Sequence, residues 1–273
     1  MRTLSLSMLA LTTSLMLISC GDDDDKETGS DEADTDTDTD TDTDTDADSG
    51  FTVNGAAGLI AEDAPAAEGL CIEIVNPTPA IAGTGDLIVD GSGTLGASGS
   101  FSVPNVSTDS VLGLIALIED CGDEGTVYPS GTGIALSSYQ DLGDGDTLDG
   151  VEAFVVSSGF LAGMQASLEA IGYTGDLGAE GFFFGFVVDN TGAFLAGATI
   201  ESSVPVYYGD ADDSDGLFST GTDANAATTA AGWFVIPGAP IGSYSASADG
   251  QTFSSLTSGS LPGIATIIAF EAE

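Results

Sequence analysis

Along this chain apolar residues recur in short runs separated by Gly, Pro, Asn and Asp. Between residues 51 and 122 the runs are FTVNGAAGLI, GLCIEIV, DLIVDG, GSFSVPNV and LGLIALIEDC. Runs of this length bounded by turn residues predict strands. From Gly181 the same pattern is clearer: GFFFGFVV, a Gly turn, GATIESSVP, an acidic loop, AGWFVIPGAP, GSYSASADG and a closing apolar strand. Phe234 and Ile236 alternate with their neighbours as on a half-buried strand, and Pro240 with Gly242 makes a tight corner. One stretch changes period. Val151, Phe154, Val155, Leu161, Met164, Leu168 and Ile171 recur at helical spacing, Asp149 and Glu152 have the spacing of a capping box, and Gly172 is a stop signal. The prediction is one amphipathic helix of about five or six turns. Gly159 and Gly163 each cost it about 1 kcal/mol relative to Ala, which implies close packing against a sheet. Glu152, Gln165 and Glu169 argue against a membrane span despite the Gly-x-x-x-Gly spacing.

The first residues, MRTLSLSMLALTTSLMLISC, place one positive charge at Arg2 before an apolar stretch from Leu4 to Ile18. That is the pattern of a secretory signal, too short for a retained span. Its end, Leu17-Ile18-Ser19-Cys20, resembles a bacterial lipobox. The resemblance implies a signal peptide over 1–19, cleavage before Cys20, acylation of that thiol and anchoring to a membrane without a transmembrane helix, each buried methylene adding about 0.8 kcal/mol. Residues 20–50 then run through GDDDD and a series of Thr-Asp repeats. With like charges and no large apolar residue, this segment is expected to be disordered and extended, reaching about 100 Å at full stretch. The acids beside Cys20 also resemble the export signal of surface lipoproteins in some Gram-negative groups. The expected location is therefore the cell envelope, lipid-anchored in the outer membrane and surface-exposed.

Charge narrows the function. The chain has 44 acidic residues against two basic ones and no histidine, a formal net charge of −42. Nucleic acid is excluded as a direct partner, because phosphate binding needs clustered Lys and Arg. An anionic membrane surface is disfavoured for the same reason. Beyond Arg2 the only basic residue is Lys26, so no ordinary base can activate a Ser nucleophile and no imidazole can hold zinc. Only carboxylate-pair chemistry of the glycosidase type is left, and no spacing selects a pair. The expectation is no enzyme and no required cofactor.

The C-terminal segment resembles the carboxypeptidase regulatory-like module, a transthyretin-like β-sandwich. The resemblance rests on Gly197, Ala198 and Ile200, then Thr228, Gly232 and Phe234, then Pro240, Gly242 and Tyr244. It implies a small sandwich without the enzyme domain that gives the module its name. The first half repeats the plan loosely: GLCIEIVNPTP answers AGATIESSVP, TLGASGSFSVPNV answers TTAAGWFVIPGAP, and LGLIALIED answers GSYSASADG. The expected fold is all-β, two tandem Greek-key-type sandwiches joined by one amphipathic helix after a disordered acidic tether. Their boundaries are an N-terminal sandwich at 51–140, an acidic loop and helix at 141–178, and the regulatory-like sandwich at 179–273. Related adhesin sandwiches crosslink a Lys to an Asn, which this chain cannot do without a lysine past residue 26.

Three features are candidate sites. Cys71 and Cys121 lie in a chain expected to leave the reducing cytoplasm, so a disulfide is expected, the alternative being two separate buried thiols. Asp210, Asp212, Asp213 and Asp215, on a loop with Gly216, supply carboxylates of the kind calcium takes, though out of EF-hand register. Asp144, Asp146 and Asp149 form a second such cluster, and for both the alternative is a solvated surface loop. Gly91-Ser-Gly93-Thr-Leu-Gly96 matches a dinucleotide fingerprint as text but is followed by a strand pattern instead of a helix, and is expected to be a flexible loop. Two functions stay open: display of sandwiches for binding or adhesion to a protein or glycan, and an accessory subunit of an envelope enzyme or transporter.

Overall fold

A computed structural model of the chain describes residues 50–60, 67–122, 124–211, 216–218 and 226–273. The predicted signal peptide, Cys20 and the acidic tether lie outside them. The strands are β1 (Phe51–Ile60), β2 (Cys71–Asn76), β3 (Ile88–Thr94), β4 (Ser100–Val106), β5 (Leu114–Glu119), β6 (Val127–Tyr128), β7 (Ser130–Ile134) and β8 (Thr147–Ser157) in the first half. The second half has β9 (Phe182–Val188), β10 (Thr199–Glu201), β11 (Tyr207–Tyr208), β12 (Trp233–Pro237), β13 (Gly242–Ser247), β14 (Leu256–Ser258) and β15 (Ala265–Glu271). Three short helices accompany them: α1 (Thr78–Ile81), α2 (Ser158–Ala170) and α3 (Leu177–Glu180).

The expected pair of sandwiches is present. In the first, a sheet ordered β4-β1-β8-β6 packs over β3-β2-β5-β7; in the second, β10-β13-β14 packs over β11-β12-β9-β15. Phe51, Val53, Ile72, Ile74, Phe101, Val103 and Val155 fill the first core. Phe183, Val187, Ile200, Phe234, Ile236, Tyr244 and Phe270 fill the second. Each fully buried side chain of this size stabilises by about 1.5–3 kcal/mol relative to exposure.

The two halves follow one plan. In each, the opening strand pairs antiparallel with the strand that follows a Gly turn (β1 with β4, β9 with β12) and parallel with the last strand (β1 with β8, β9 with β15). The correspondence reaches single bonds. Leu95 N donates to Leu70 O and Gly69 N to Leu95 O; in the second half Thr228 N donates to Ala198 O and Gly197 N to Thr228 O. An aromatic ring also covers a cross-strand glycine in both: Phe101 over Gly55 and Phe234 over Gly185. A Cβ on Gly55 would sit 2.4 Å from the Phe101 ring, and one on Gly185 2.1 Å from that of Phe234. Glycine is required at both positions for the ring to lie flat on the strand.

Sequence pattern does not reveal that the sandwiches share a sheet. β15 pairs in parallel with β7, matching Ala265 to Ser130, Thr266 to Gly131 and Ile267 to Thr132, so one layer of each sandwich joins into a single eight-stranded sheet. Ser130, fully buried at this seam, donates from its hydroxyl to Tyr128 O and accepts from Val156 N.

The predicted helix is real in its second half only. Thr147–Ser157 is strand β8, which belongs to the first sandwich, so that sandwich extends past the expected boundary at 140. Asp149 and Glu152 do not cap a helix; Glu152 lies opposite Ala56 in the β1–β8 ladder. The cap is Ser157, whose hydroxyl accepts from Phe160 N, and α2 ends before Gly172, which has φ +100°. The cause is burial on both faces of β8. Ala153 and Val155 point into the first sandwich while Phe154 and Val156 face the other way, toward α2. A strand buried on both sides loses its alternation, and a short apolar run then fits either period. α2 does join the sandwiches, and with Met164 and Leu168 it buries Phe182, Phe184, Val235 and Ile267 on the outer face of the second sandwich.

Candidate functional site

The acidic loop after β11 stands on a well-defined base. Tyr207 and Tyr208 pair with Val235 and Phe234, Gly209 bridges to Phe218, and Asp210 N donates to Leu217 O. Leu217 N in turn donates to the Ser167 hydroxyl of α2, and the Thr229 hydroxyl donates to Gly209 O. Glycine is needed at 209 because a Cβ there would fall 1.9 Å from the Trp233 indole. The loop therefore leaves and re-enters over an aromatic floor. Trp233 stacks on Phe184 at 5.4 Å and meets Phe218 edge-on at 5.2 Å, while Phe186 stacks on Phe194 at 5.6 Å. Of the four carboxylates predicted as a calcium site, Asp210 is placed at this base; Asp212, Asp213 and Asp215 lie outside the described residues.

Among the described residues no group of three or more His, Cys, Asp or Glu side chains is arranged to hold a metal ion. The second acidic cluster is part of this result. Asp146 accepts from Gly143 N at 2.7 Å and closes a turn, while Asp149, in β8, accepts from the Asn54 side-chain amide of the paired strand β1 at 2.9 Å. Two other carboxylates organise loops in the same way. Burial tends to raise Asp120, but the Thr126 hydroxyl and the amides of Val127, Thr126 and Gly125 outweigh it and hold its carboxyl below the usual range. Asp189 is held low by the hydroxyl and amide of Thr191 and the amide of Ala193.

Cys71 and Cys121 form the expected disulfide, with Cα atoms 4.9 Å apart, tying the start of β2 to the loop after β5. Near it Glu119 is raised by burial and by the charges of Glu73 and Asp120. In the glycine-rich stretch 91–96, Gly91 and Gly93 are residues of β3 packed against β4, a Cβ on Gly91 falling 2.7 Å from Val103. The stretch expected as a flexible loop is therefore strand as far as Thr94, held between β2 and β4, and the strand β4 follows it where a dinucleotide fold would have a helix. The residues on which the regulatory-like resemblance rests lie at turns and in the core of the second sandwich. Gly197 has φ +82° and leads into β10 with Ile200 buried, and the Thr228 hydroxyl accepts from Ala198 N and donates to Leu195 O. Gly232 has φ +67° before Phe234, and the Tyr244 hydroxyl donates back to Pro240 O.

Two features escaped the sequence. One is the aromatic floor of the acidic loop, whose Phe and Trp positions are indistinguishable from other core residues until the fold brings them together. The other is the exposure of four aliphatic side chains, Ile88 and Val89 at the start of β3 and Val111 and Leu112 in the β4–β5 loop.

No protein-family model matches the chain, and no curated protein matches it. Among solved structures, the shaft pilin SpaA from Lactobacillus rhamnosus GG is 13% identical, with 81% of this chain and 96% of that one covered at a TM-score of 0.23. GBS52, the minor pilin of Streptococcus agalactiae, is 11% identical over 81% of this chain and 95% of its own, at 0.23. A streptococcal ancillary pilin is 12% identical over 84% and 64%, at 0.21. At these TM-scores the likenesses carry no argument, and the β-sandwich architecture stands on the strand pairings themselves.

Proposed function

We propose that this chain is a non-catalytic, lipid-anchored envelope protein that holds tandem β-sandwiches away from the membrane for binding or adhesion. The observation that carries the reading is the lipobox-like Leu17-Ile18-Ser19-Cys20, followed without interruption by the acidic tether and then by the β-sandwich body from Phe51. Acylation at Cys20 gives attachment, and like-charge repulsion along residues 20–50 gives reach. The fused sheet supports a display role, because the β7–β15 ladder ties the two sandwiches through backbone hydrogen bonds instead of a linker. The disulfide fits an oxidising compartment.

Metabolic labelling with a fatty-acid analogue tests the anchor. The native chain is expected to carry label and to partition with membranes, and Cys20→Ala to lose both. Equal labelling of the two proteins refutes the anchor.

A further inference from the structure

The disulfide is open to solvent on one side. Cys121, two residues past the end of β5, is exposed, and Cys71, the first residue of β2, is half-buried. Cys71 lies directly opposite Glu119 in the antiparallel β2–β5 ladder, so their side chains leave the same face, and Glu73, two residues along β2, shares it. Ile72 and Ile74 alternate into the core. Glu119 is raised by burial and then by the charges of Glu73 and Asp120, so these three acids lie within reach of one another. A fourth stands on the loop: a Cβ on Gly122 would lie 2.9 Å from both carboxylate oxygens of Glu124, which puts that charge beside the residue after Cys121.

These surroundings disfavour a thiolate. Lys, Arg, His or a helix N-terminus stabilises one, whereas no Lys or Arg follows Lys26, the chain has no His, and neither cysteine opens a helix. Cys121 Sγ instead lies 3.2 Å from the Gly69 carbonyl oxygen. Exchange with an external thiol begins when its thiolate attacks Cys121 Sγ, on the more exposed residue. A new S–S bond forms as the Cys71–Cys121 bond breaks, and the electron pair leaves on Cys71 Sγ, opposite Glu119, where water supplies a proton. A second thiolate attacks the reductant's own sulfur and frees Cys121. Two external thiols thereby become one disulfide, and the protein disulfide becomes two thiols. Both incoming thiolates cross the same carboxylates, so charge elsewhere on the reductant sets how strongly it is repelled or drawn in.

We propose that the Cys71–Cys121 bridge is a thiol-exchange site selective by charge: cationic aminothiols reduce it, whereas anionic thiols of the glutathione class are held off by Glu73, Glu119, Asp120 and Glu124. The bond then persists among acidic thiols and opens to aminothiols, releasing the tie between β2 and the loop after β5. This inference goes beyond binding or adhesion and is independent of whether Cys20 is acylated.

The test uses the full chain in a nonionic detergent and three thiols of similar size: 2-aminoethanethiol, 2-mercaptoethanol and 2-mercaptoethanesulfonate. Timed alkylation and mass analysis of the peptides carrying Cys71 and Cys121 follow reduction and keep Cys20 out of the readout. Each rate is divided by that of the same thiol on bis(2-hydroxyethyl) disulfide, an uncharged reference, which removes differences in intrinsic reactivity. At about 10 mM salt the cationic thiol is expected to exceed the anionic one about tenfold or more, with the neutral thiol between them. The gap is expected to close near about 1 M salt, where the Debye length falls to about 3 Å. Glu73→Gln with Glu119→Gln is expected to narrow the gap about threefold or more, while Glu201→Gln with Glu271→Gln, the same charge change on strands of the second sandwich, leaves it as it was. Glu124→Gln, at an exposed loop position, gives the same reading in a smaller step should the first pair fail to fold. Equal normalised rates for the three thiols overturn the proposal. So does a rate that stops rising with thiol concentration, because unfolding then limits it. Equal narrowing by the two double variants overturns it as well, since the selection would then belong to the net charge of the chain.

Discussion

The opening strand of the first sandwich, β1, alternates along Phe51, Val53 and Gly55 between a packed face and a partly solvated one, whereas its counterpart β9, FFFGFVV, is buried almost throughout. Both strands have the same partners by position and the same glycine under an aromatic ring. They differ in what covers the outer face: α2 lies against β9, β12 and β15, so Phe182 and Phe184 are buried on one side while Phe183 and Val187 are buried on the other. Reinforcement differs as well. The first sandwich is held by a disulfide, the second by an aromatic layer beneath α2. One strand plan thus accepts two ways of closing a small core, and the apolar content of a strand reports how many of its faces are covered as well as its place in the plan.

The largest expected effect tests the shared plan. Phe101→Ala and Phe234→Ala each remove a buried ring that lies on a glycine, and each should cost about 3–5 kcal/mol. Because the β7–β15 ladder joins the sandwiches, either variant is expected to lower a single unfolding transition instead of splitting it. Denaturant melts followed by near-ultraviolet absorbance and by amide exchange check this. Two separated transitions in either variant would mean that the shared sheet does not couple the halves.

The disulfide sharpens the contrast next. Cys71 and Cys121 are separated by 50 residues, a loop whose closure stabilises by about 4 kcal/mol on the chain-entropy model, with measured bridges typically giving about 2–4 kcal/mol. Reduction or Cys71→Ser with Cys121→Ser is expected to lower the melting midpoint accordingly, with amide protection lost first in β2 and β5. Protection lost first in β10 and β13 would contradict the assignment of the bridge to the first sandwich.

Much of this architecture was legible in the sequence, and the reason is local. Gly197 and Gly232 mark turns at positive φ, which side chains resist, and Phe234, Ile236 and Tyr244 alternate into one core, so strand order in the second half follows from turn chemistry and period. The disulfide followed from compartment and cysteine count. The start of α2 did not, because VEAFVV is buried on two faces and its Val and Phe positions suit a helix as well as a strand. The β7–β15 seam was hidden for another reason: Ser130, Gly131 and Thr132 are small or polar, and their burial comes from a strand some 130 residues later in the chain. The exposure of Ile88, Val89, Val111 and Leu112 was hidden because exposure is decided by what fails to cover a residue.

A smaller effect separates the two sandwiches at one equivalent position. Thr228 and Leu95 make the same pair of backbone bonds, but only Thr228 adds a hydroxyl that satisfies Ala198 N and Leu195 O; in the first half Leu70 N finds Ala67 O instead. Thr228→Val keeps the shape and leaves two buried backbone groups without that partner, a cost of about 1–3 kcal/mol. Leu95→Val should cost only what its lost methylene costs, about 0.5–1.5 kcal/mol. Melting of the pair decides whether the hydroxyl or the shared backbone geometry carries the second half.

The smallest effect concerns pH and has opposite signs in the two halves. Asp90, in the first, is raised above its ordinary 3.8 by burial and then by Asp109, and it also lies within the field of Tyr139. Its folded form holds the proton more tightly than its unfolded form. The resulting penalty is absent below the unfolded value, grows as pH rises through the folded value, and is complete at neutral pH. Asp90→Asn should therefore raise the melting midpoint at pH 7 and leave it unchanged near pH 3. Asp189, in the second half, is lowered by the Thr191 hydroxyl and by the amides of Thr191 and Ala193. Its contribution is present above 3.8 and is lost as pH falls through the folded value, so Asp189→Ala should lower the midpoint at pH 7 and do less near pH 3. Melting both variants at the two pH values separates a charge held against its environment from one held by it. A midpoint shift of the same sign at pH 7 in both would mean that long-range repulsion, not local contacts, governs the carboxylates of this chain.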